Sequence, residues 1–227
     1  MGTVPSVIVF DVVETLSDMS ALEEKFAQAG VPASLAKLWF ATLMRDGFAL
    51  AAAGYSGVFA DIGAHVLRGL LLDAGLGADV DETIEYVLAG VAEMTVHPDV
   101  PAGVRDLKGA GYGLMTLSNG AAEVAESLLT RTGLRDQFGL LLSVEDTAAW
   151  KPARAAYDTA AAACGKSPEQ MLLVSVHPWD IHGAAEAGLQ TAWINRSGAA
   201  YPDYFTAPDY TIGSLGELPD RLAATRS

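Results

Sequence analysis

The chain is poor in cysteine, in basic residues and in long apolar runs. Cys164 is the only cysteine among 227 residues. No internal disulfide can form, which predicts a reducing compartment and a cytoplasmic protein. In Ala161-Ala162-Ala163-Cys164-Gly165 it reads as a small apolar side chain at a helix end. Lysine and arginine number 14 against 28 aspartates and glutamates, for a net charge of -14. Such a surface excludes nucleic acid and anionic membranes as partners, and an anionic substrate would need positive charge built into its site. The apolar runs stop at strand length, and no basic segment precedes the first of them. Neither a spanning helix nor a secretory leader is expected. Internal repeats and low-complexity tracts are missing too.

What is present is a 51% hydrophobic chain long enough for one substantial core with a smaller insert. Val7–Phe10 reads as a first strand. From about residue 17 to 97 the text turns helical, with apolar residues at helical spacing: Leu22, Phe26, Ala29; Leu35, Leu38, Trp39, Leu43; Val66, Leu67, Leu70, Leu71. Gly30-Val31-Pro32 and Gly75–Gly77 punctuate this block. Strands then return at Gly113–Gly120, where the strand ends in polar residues, and at Leu140–Val144, Met171–Ser175 and Thr191–Asn195, with a short edge strand near 209–212. Helical stretches at 103–110, 121–132, 153–164, 181–187 and 214–224 separate them. The alternation predicts parallel βαβ units in a doubly wound α/β sheet. The expected organisation is a core of residues 1–16 and 98–227, with a helical cap of residues 17–97 over the carboxyl edge of the sheet. Trp39, Phe40, Leu43, Phe48 and Leu50 exceed what a thin lid needs, and are either lid core or a homodimer contact.

The first strand ends abruptly on Asp11, at the sheet edge where open α/β folds do their chemistry. A second carboxylate two residues later could pass a proton to a leaving alcohol, but residue 13 is Val. Phosphate-ester hydrolysis is thereby disfavoured. Other strand ends supply Ser118, Asn119 and Ser175, with Asp180 close behind. Lys151 follows the third strand at a loop-to-helix junction. Converging there, these residues suit covalent catalysis by a carboxylate. Asp11 is the nucleophile, and Lys151 keeps it ionised. Thr15 and the amides after Asp11 stabilise developing charge, and Asp180 orients Lys151 or activates water. Taken singly, each has an ordinary reading as a helix cap, a turn or a solvated charge.

Four motifs together resemble the haloacid dehalogenase superfamily: Phe10-Asp11-Val12-Val13-Glu14-Thr15-Leu16, Thr116-Leu117-Ser118-Asn119-Gly120, Lys151-Pro152, and Ser175-Val176-His177-Pro178-Trp179-Asp180. Tyr157 six residues after the lysine, Gly183, and Trp193-Ile194-Asn195-Arg196 are similar to the branch of 2-haloacid dehalogenases that works through an aspartate ester. The resemblance spans nearly the whole chain and implies a Rossmann-like core with a cap. It further implies a metal-independent, cofactor-free hydrolase. Asp11 would displace halide from a short 2-haloalkanoic acid, a small anionic substrate, and water would then hydrolyse the ester to the 2-hydroxy acid. Asp11, Thr15, Lys151, Asp180 and Ser175 are the implied catalytic set. Val12, Val13, Phe40, Arg45, Ser118, Asn119, Tyr157, His177 and Trp179 are the implied substrate wall.

Three positions depart from that pattern. Phe40 follows Leu38-Trp39 where the family carries an arginine, and Arg45, five residues on, replaces it only if the helix register differs. His177 stands where the family has asparagine, and is a candidate hydrogen-bond partner of Asp180 or Asp11. Glu14 stands where glycine is usual and adds charge at the mouth. Two other readings stay open. One is a magnesium-dependent phosphatase with the metal on Asp11, the Val13 carbonyl and Asp180; the other is a homologue weakened in catalysis that works by binding or dimerisation.

Overall fold

The computed structural model describes residues 4–76, 79–146 and 149–224; Gly77 and the outermost residues of the expected core lie outside them. The strands are β1 (Val7–Phe10), β2 (Gly113–Ser118), β3 (Leu140–Ser143), β4 (Met171–Ser175), β5 (Gln190–Ile194) and β6 (Tyr210–Ile212). They form one sheet in the order β3-β2-β1-β4-β5-β6, with every pairing parallel. β1 is central and buried on both faces, which its unbroken apolar run Val-Ile-Val-Phe permits. Phe10 pairs with Thr116 on one side and Val174 on the other. Asp11, one residue further, therefore comes level with the carboxyl ends of β2 and β4.

Side chains alternate across β1. Ile8 and Phe10 pack with α5 (Val100–Gly109), α6 (Ala122–Arg131) and α9 (Leu218–Ala224). Val7 and Val9 join the opposite cluster, with α7 (Arg154–Cys164) and α8 (Pro178–Glu186). The result is the doubly wound α/β core that strand–helix alternation predicts.

The insert consists of α1 (Ser20–Gln28), α2 (Leu35–Ala52), α3 (Phe59–Asp73) and α4 (Val80–Glu93). Its two connections touch through an isolated antiparallel bridge between Ser17 and Val96, closed by Asp18 N–H to Thr95 O at 2.8 Å and His97 N–H to Leu16 O at 3.0 Å. Leu22, Phe26, Trp39, Leu43 and Leu67 lie in the same apolar cluster as Val9, Leu117 and Leu173 of the sheet. Insert and core thus share one buried surface. Of the five apolar residues that seemed in excess, Trp39, Phe40 and Leu43 are buried and Phe48 packs on Trp179; Leu50 is exposed. Trp39 and Leu43 thus pack inside the insert, while Phe40 and Phe48 meet core residues His177 and Trp179.

Two helices begin earlier than the sequence pattern predicts. α8 starts at Pro178, not Ile181, and α5 at Val100, not Gly103. Pro178 and Pro101 lie in the first turn, where the missing N–H costs nothing and φ is already set. The earlier start of α8 puts Asp180 in its first turn.

Candidate active site

Asp11 sits at the head of β1 and is almost fully buried. Lys151 Nζ donates to Asp11 Oδ1 at 2.8 Å and to Asp180 Oδ2 at 2.8 Å. Both Lys151 and Asp180 are sealed from solvent, although a lysine before proline ordinarily reads as a solvated charge. Thr15 donates its hydroxyl to Asp11 Oδ2 at 2.5 Å and accepts the Val176 N–H at 3.1 Å. Burial pushes the Asp11 carboxyl up, but Lys151, His177 and the Lys151 and Thr15 hydrogen bonds together hold it below the ordinary aspartate value. Burial likewise pulls Lys151 down, while its two carboxylates outweigh that and raise it. Asp11 and its neighbouring cation are thus charged together across neutral pH.

Tyr157 was expected against the substrate. Instead it lies beneath Asp180, donating to Asp180 Oδ1 at 2.6 Å, and does not line the cavity beside Asp11. Burial, followed by the Asp180 charge, keeps its phenol protonated well above the usual tyrosine value. Gly183 makes this approach possible, because a Cβ there would stand 2.7 Å from the Tyr157 hydroxyl and 2.6 Å from Pro152 Cβ. With Oδ2 on Lys151, Oδ1 on Tyr157 and no exposed surface, Asp180 orients the lysine.

The loop after Asp11 divides its side chains between two faces. Val13 lines the cavity, whereas Val12 packs under the sheet with Phe10 and Leu16, so the Val12 side chain cannot meet a substrate. Glu14 occupies the left-handed region at φ 64°, the conformation that makes glycine the easy choice there. Ser175 does not reach Asp11 through any hydrogen bond of the site; its hydroxyl accepts the His177 N–H at 3.1 Å and shapes the β4–α8 loop. Asn119 lines the cavity and also fastens Lys151, accepting its N–H at 2.9 Å and donating to its carbonyl at 3.2 Å. Ser118 lines the cavity and accepts the Gly120 N–H at 3.0 Å, leaving its own O–H to give.

His177 points toward Asp11, not Asp180. Its Nε2 is 3.2 Å from Val13 O, 3.6 Å from Asp11 Oδ2 and 3.8 Å from Glu14 Oε2. Since a carbonyl only accepts, the bond to Val13 makes Nε2 a donor. The ring stacks on Trp179 at 4.9 Å and on Phe40 at 6.0 Å between centroids. Arg45 is on the outer face of α2, its side chain 70% exposed and bonded to Asp46. Five residues advance a helix by roughly 140° from Phe40, so Arg45 cannot share its face. The i+4 neighbour, Met44, does line the cavity, as does Phe59 at the start of α3. Sequence reasoning missed both. Helical spacing from Phe40 would have found Met44; Phe59 carries no motif.

The oxygens nominated for magnesium are all engaged by hydrogen-bond donors: Asp11 by Lys151 and Thr15, Asp180 by Lys151 and Tyr157, and the Val13 carbonyl by His177. Among the described residues no group of three or more His, Cys, Asp or Glu side chains is placed to hold a metal ion.

Comparison with known proteins agrees with this geometry. Residues 5–188 match the family model of haloacid dehalogenase-like hydrolases. Haloacetate dehalogenase H-2 of Moraxella sp. (strain B) is 31% identical over 95% of this chain and 97% of its own length. An (S)-2-haloacid dehalogenase of Pseudomonas putida is 30% identical over 95% of each chain. The crystal structure of a dehalogenase with an intermediate complex superimposes with a TM-score of 0.90 at 27% identity, over 98% of this chain and 99% of that one. With Asp11, its buried lysine and the carboxylate behind them held on such a sheet, and with the family model and relatives matched along most of the chain, this protein belongs to the haloacid dehalogenase-like hydrolase family.

Proposed function

We propose that this chain hydrolyses short 2-haloalkanoic acids to 2-hydroxy acids through an ester on Asp11. The observation that carries this reading is an ionised, buried carboxylate braced by Lys151 and Thr15 with an apolar side chain at position 13. Asp11 attacks the α-carbon from behind the carbon–halogen bond, and halide leaves with both bonding electrons as the configuration inverts. Water then adds to the aspartyl carbonyl, the 2-hydroxy acid departs, and Asp11 is regenerated. One proton is released with the halide over the cycle. Lys151 holds the carboxylate charge before attack and the carbonyl oxygen's charge during hydrolysis. Ser118 offers its hydroxyl to the substrate carboxylate; Phe40, Met44, Phe59, His177 and Trp179 enclose its carbon and halogen.

Residues 17–97 serve in this reading as the cap over the site. The net charge of -14 and the lone, half-buried Cys164 support a cytoplasmic enzyme. Exposed Leu38, Leu50, Tyr55 and Val58 on the insert supply apolar surface for a homodimer, which size-exclusion chromatography tests. Among the described residues no helix is long and apolar enough to cross a membrane.

Halide release from chloroacetate and 2-chloropropionate, with and without a chelator, tests the activity. Release should survive chelation and fall by about 10³-fold or more in Asp11→Asn. Turnover in heavy-oxygen water should place label in the Asp11 side chain. Magnesium-dependent phosphate release without halide release would favour the phosphatase reading instead.

A further inference from the structure

The cavity beside Asp11 has a volume of about 10 Å³, room for about one water molecule. A haloacid does not fit unless part of the wall moves. Two larger hollows adjoin it. One is an open cleft of about 440 Å³, with charged groups of both signs on its walls, among them Glu14, Asp18, Lys37 and Arg196. The other is an apolar hollow of about 150 Å³ under Trp39, Leu88 and Val91. Among the described residues, His177 alone lines both the cavity and the cleft, and Phe59 alone lines both the cavity and the apolar hollow.

We infer that the His177 imidazole is the movable partition through which substrate reaches Asp11, and that it thereby sets the size of the 2-substituent accepted. The identity of the substrate rests on the haloacid reading; the route does not. Two arguments choose His177 over Phe59. The first is solvation. A carboxylate crossing the apolar hollow would lose its water without gaining partners. In the cleft it keeps water and meets charged groups. The second is bracing. The Phe59 N–H is bonded to Glu145 Oε1 at 2.9 Å, and its ring stacks on Trp150. Trp150 is itself fixed by its indole N–H to Gly57 O at 2.8 Å and is fully buried. The His177 ring has one hydrogen bond, the 3.2 Å contact to Val13 O, and two stacking contacts, with the Asp11 and Glu14 carboxylates at 3.6 and 3.8 Å. But His177 borders the open cleft, where water can replace these partners. Its backbone N–H is anchored on Ser175. The ring can swing into the cleft about its own side-chain bonds while the loop stays in place.

Thiol labelling tests the route without any turnover. Cys164→Ser removes the native thiol and Ser118→Cys puts one in the cavity wall; the rate of reaction with an anionic methanethiosulfonate is then measured. Adding His177→Ala should raise that rate about tenfold, the gain expected when an open state populated at ~10% becomes the rule. Adding Phe59→Ala should change it by less than about twofold on the same reasoning. The reverse pattern, or equal rates in the two variants, overturns the partition. His177→Asn, which keeps a polar side chain and disturbs folding least, should fall between wild type and His177→Ala. In turnover, the ratio of kcat/KM for 2-chlorobutyrate to that for chloroacetate should rise about tenfold in His177→Ala. An unchanged ratio overturns the role in specificity. Wild-type protein that releases no halide sinks the haloacid reading, while labelling still decides the route.

Discussion

The two walls of the cavity are built on opposite principles. On the core side, Asp11, Thr15, Lys151, Asp180 and Tyr157 form a chain of short hydrogen bonds among buried groups. On the insert side, Phe40, Met44 and Phe59 offer no polar side-chain atom able to hold a charge. A buried polar network is stable only when each member keeps its partner, so the core wall tolerates little change. An apolar wall depends on shape, and volume can be exchanged within it at modest cost. Chemistry is fixed by the first wall, and substrate choice is open to adjustment in the second.

Lys151→Met gives the largest expected effect. It leaves the Asp11 and Asp180 carboxylates facing each other with no cation between them. Breaking a buried ion pair in this way costs about 3–5 kcal/mol of stability, and halide release should disappear with it. Urea denaturation and a halide electrode measure both. A variant as stable as wild type would mean that the core wall is not the over-determined structure described. Tyr157→Phe is gentler. It removes the bond to Asp180 Oδ1 and leaves a buried carboxylate oxygen short of a donor, at about 1–3 kcal/mol. Since Tyr157 does not touch the cavity, kcat should fall about tenfold with KM little changed. A rise in KM with kcat intact would return Tyr157 to the substrate wall, where the sequence pattern had put it.

This asymmetry also explains what the sequence made legible. Strand ends on a parallel sheet converge wherever the chain folds, so Asp11, Ser118, Asn119 and Asp180 could be assembled from motif order alone. Lys151 belonged with them for the same reason. The direction in which a side chain leaves the backbone was less visible. Val12 and Val13 are neighbours of the same type, yet the turn after β1 sends one below the sheet and the other into the cavity. Tyr157 is named by its motif, but a motif does not say whether it meets the substrate or the residue behind it. The insert wall was the least legible, because helices from a separate segment contribute to it and Phe59 is an ordinary first residue of a helix. Arg45 was a candidate because it lies five residues after the position of the family's cap arginine, and it failed by helical phase.

Phe40→Arg sharpens the comparison from the insert side. It puts a cation on the face of α2 that meets the cavity, opposite Asp11 and within the space a substrate carboxylate would occupy. A charge-assisted hydrogen bond contributes about 1.5 kcal/mol or more, which is roughly a tenfold fall in KM for chloroacetate. Steady-state halide release reads it directly. An unchanged KM would show that the apolar wall already satisfies the substrate, with its charge met wholly from the core side.

The smallest effect concerns pH and separates the walls from the mouth between them. The lowered Asp11 pKa means that its stabilising contribution is complete above the ordinary carboxylate value and is lost only as pH falls through the lower, folded value. The raised Lys151 pKa means that its contribution is complete below the ordinary lysine value and is lost only as pH rises through the higher, folded one. Between about pH 4 and about pH 10 neither group changes charge, so the pair contributes no inflection to kcat. Glu14 behaves differently. Burial raises its pKa, His177 and Lys37 oppose the rise, and Asp11 adds to it. As pH rises through that raised value, Glu14 becomes an anion beside the cleft by which we infer substrate arrives. KM for a haloacid should then increase by about two- to fivefold, a cost of up to ~1 kcal/mol for like charges near a surface. Glu14→Gln should flatten this limb of the KM profile and leave kcat unaltered. If the limb persists in Glu14→Gln, the charge responsible lies on one of the walls, and the separation between fixed chemistry and adjustable access fails at its boundary.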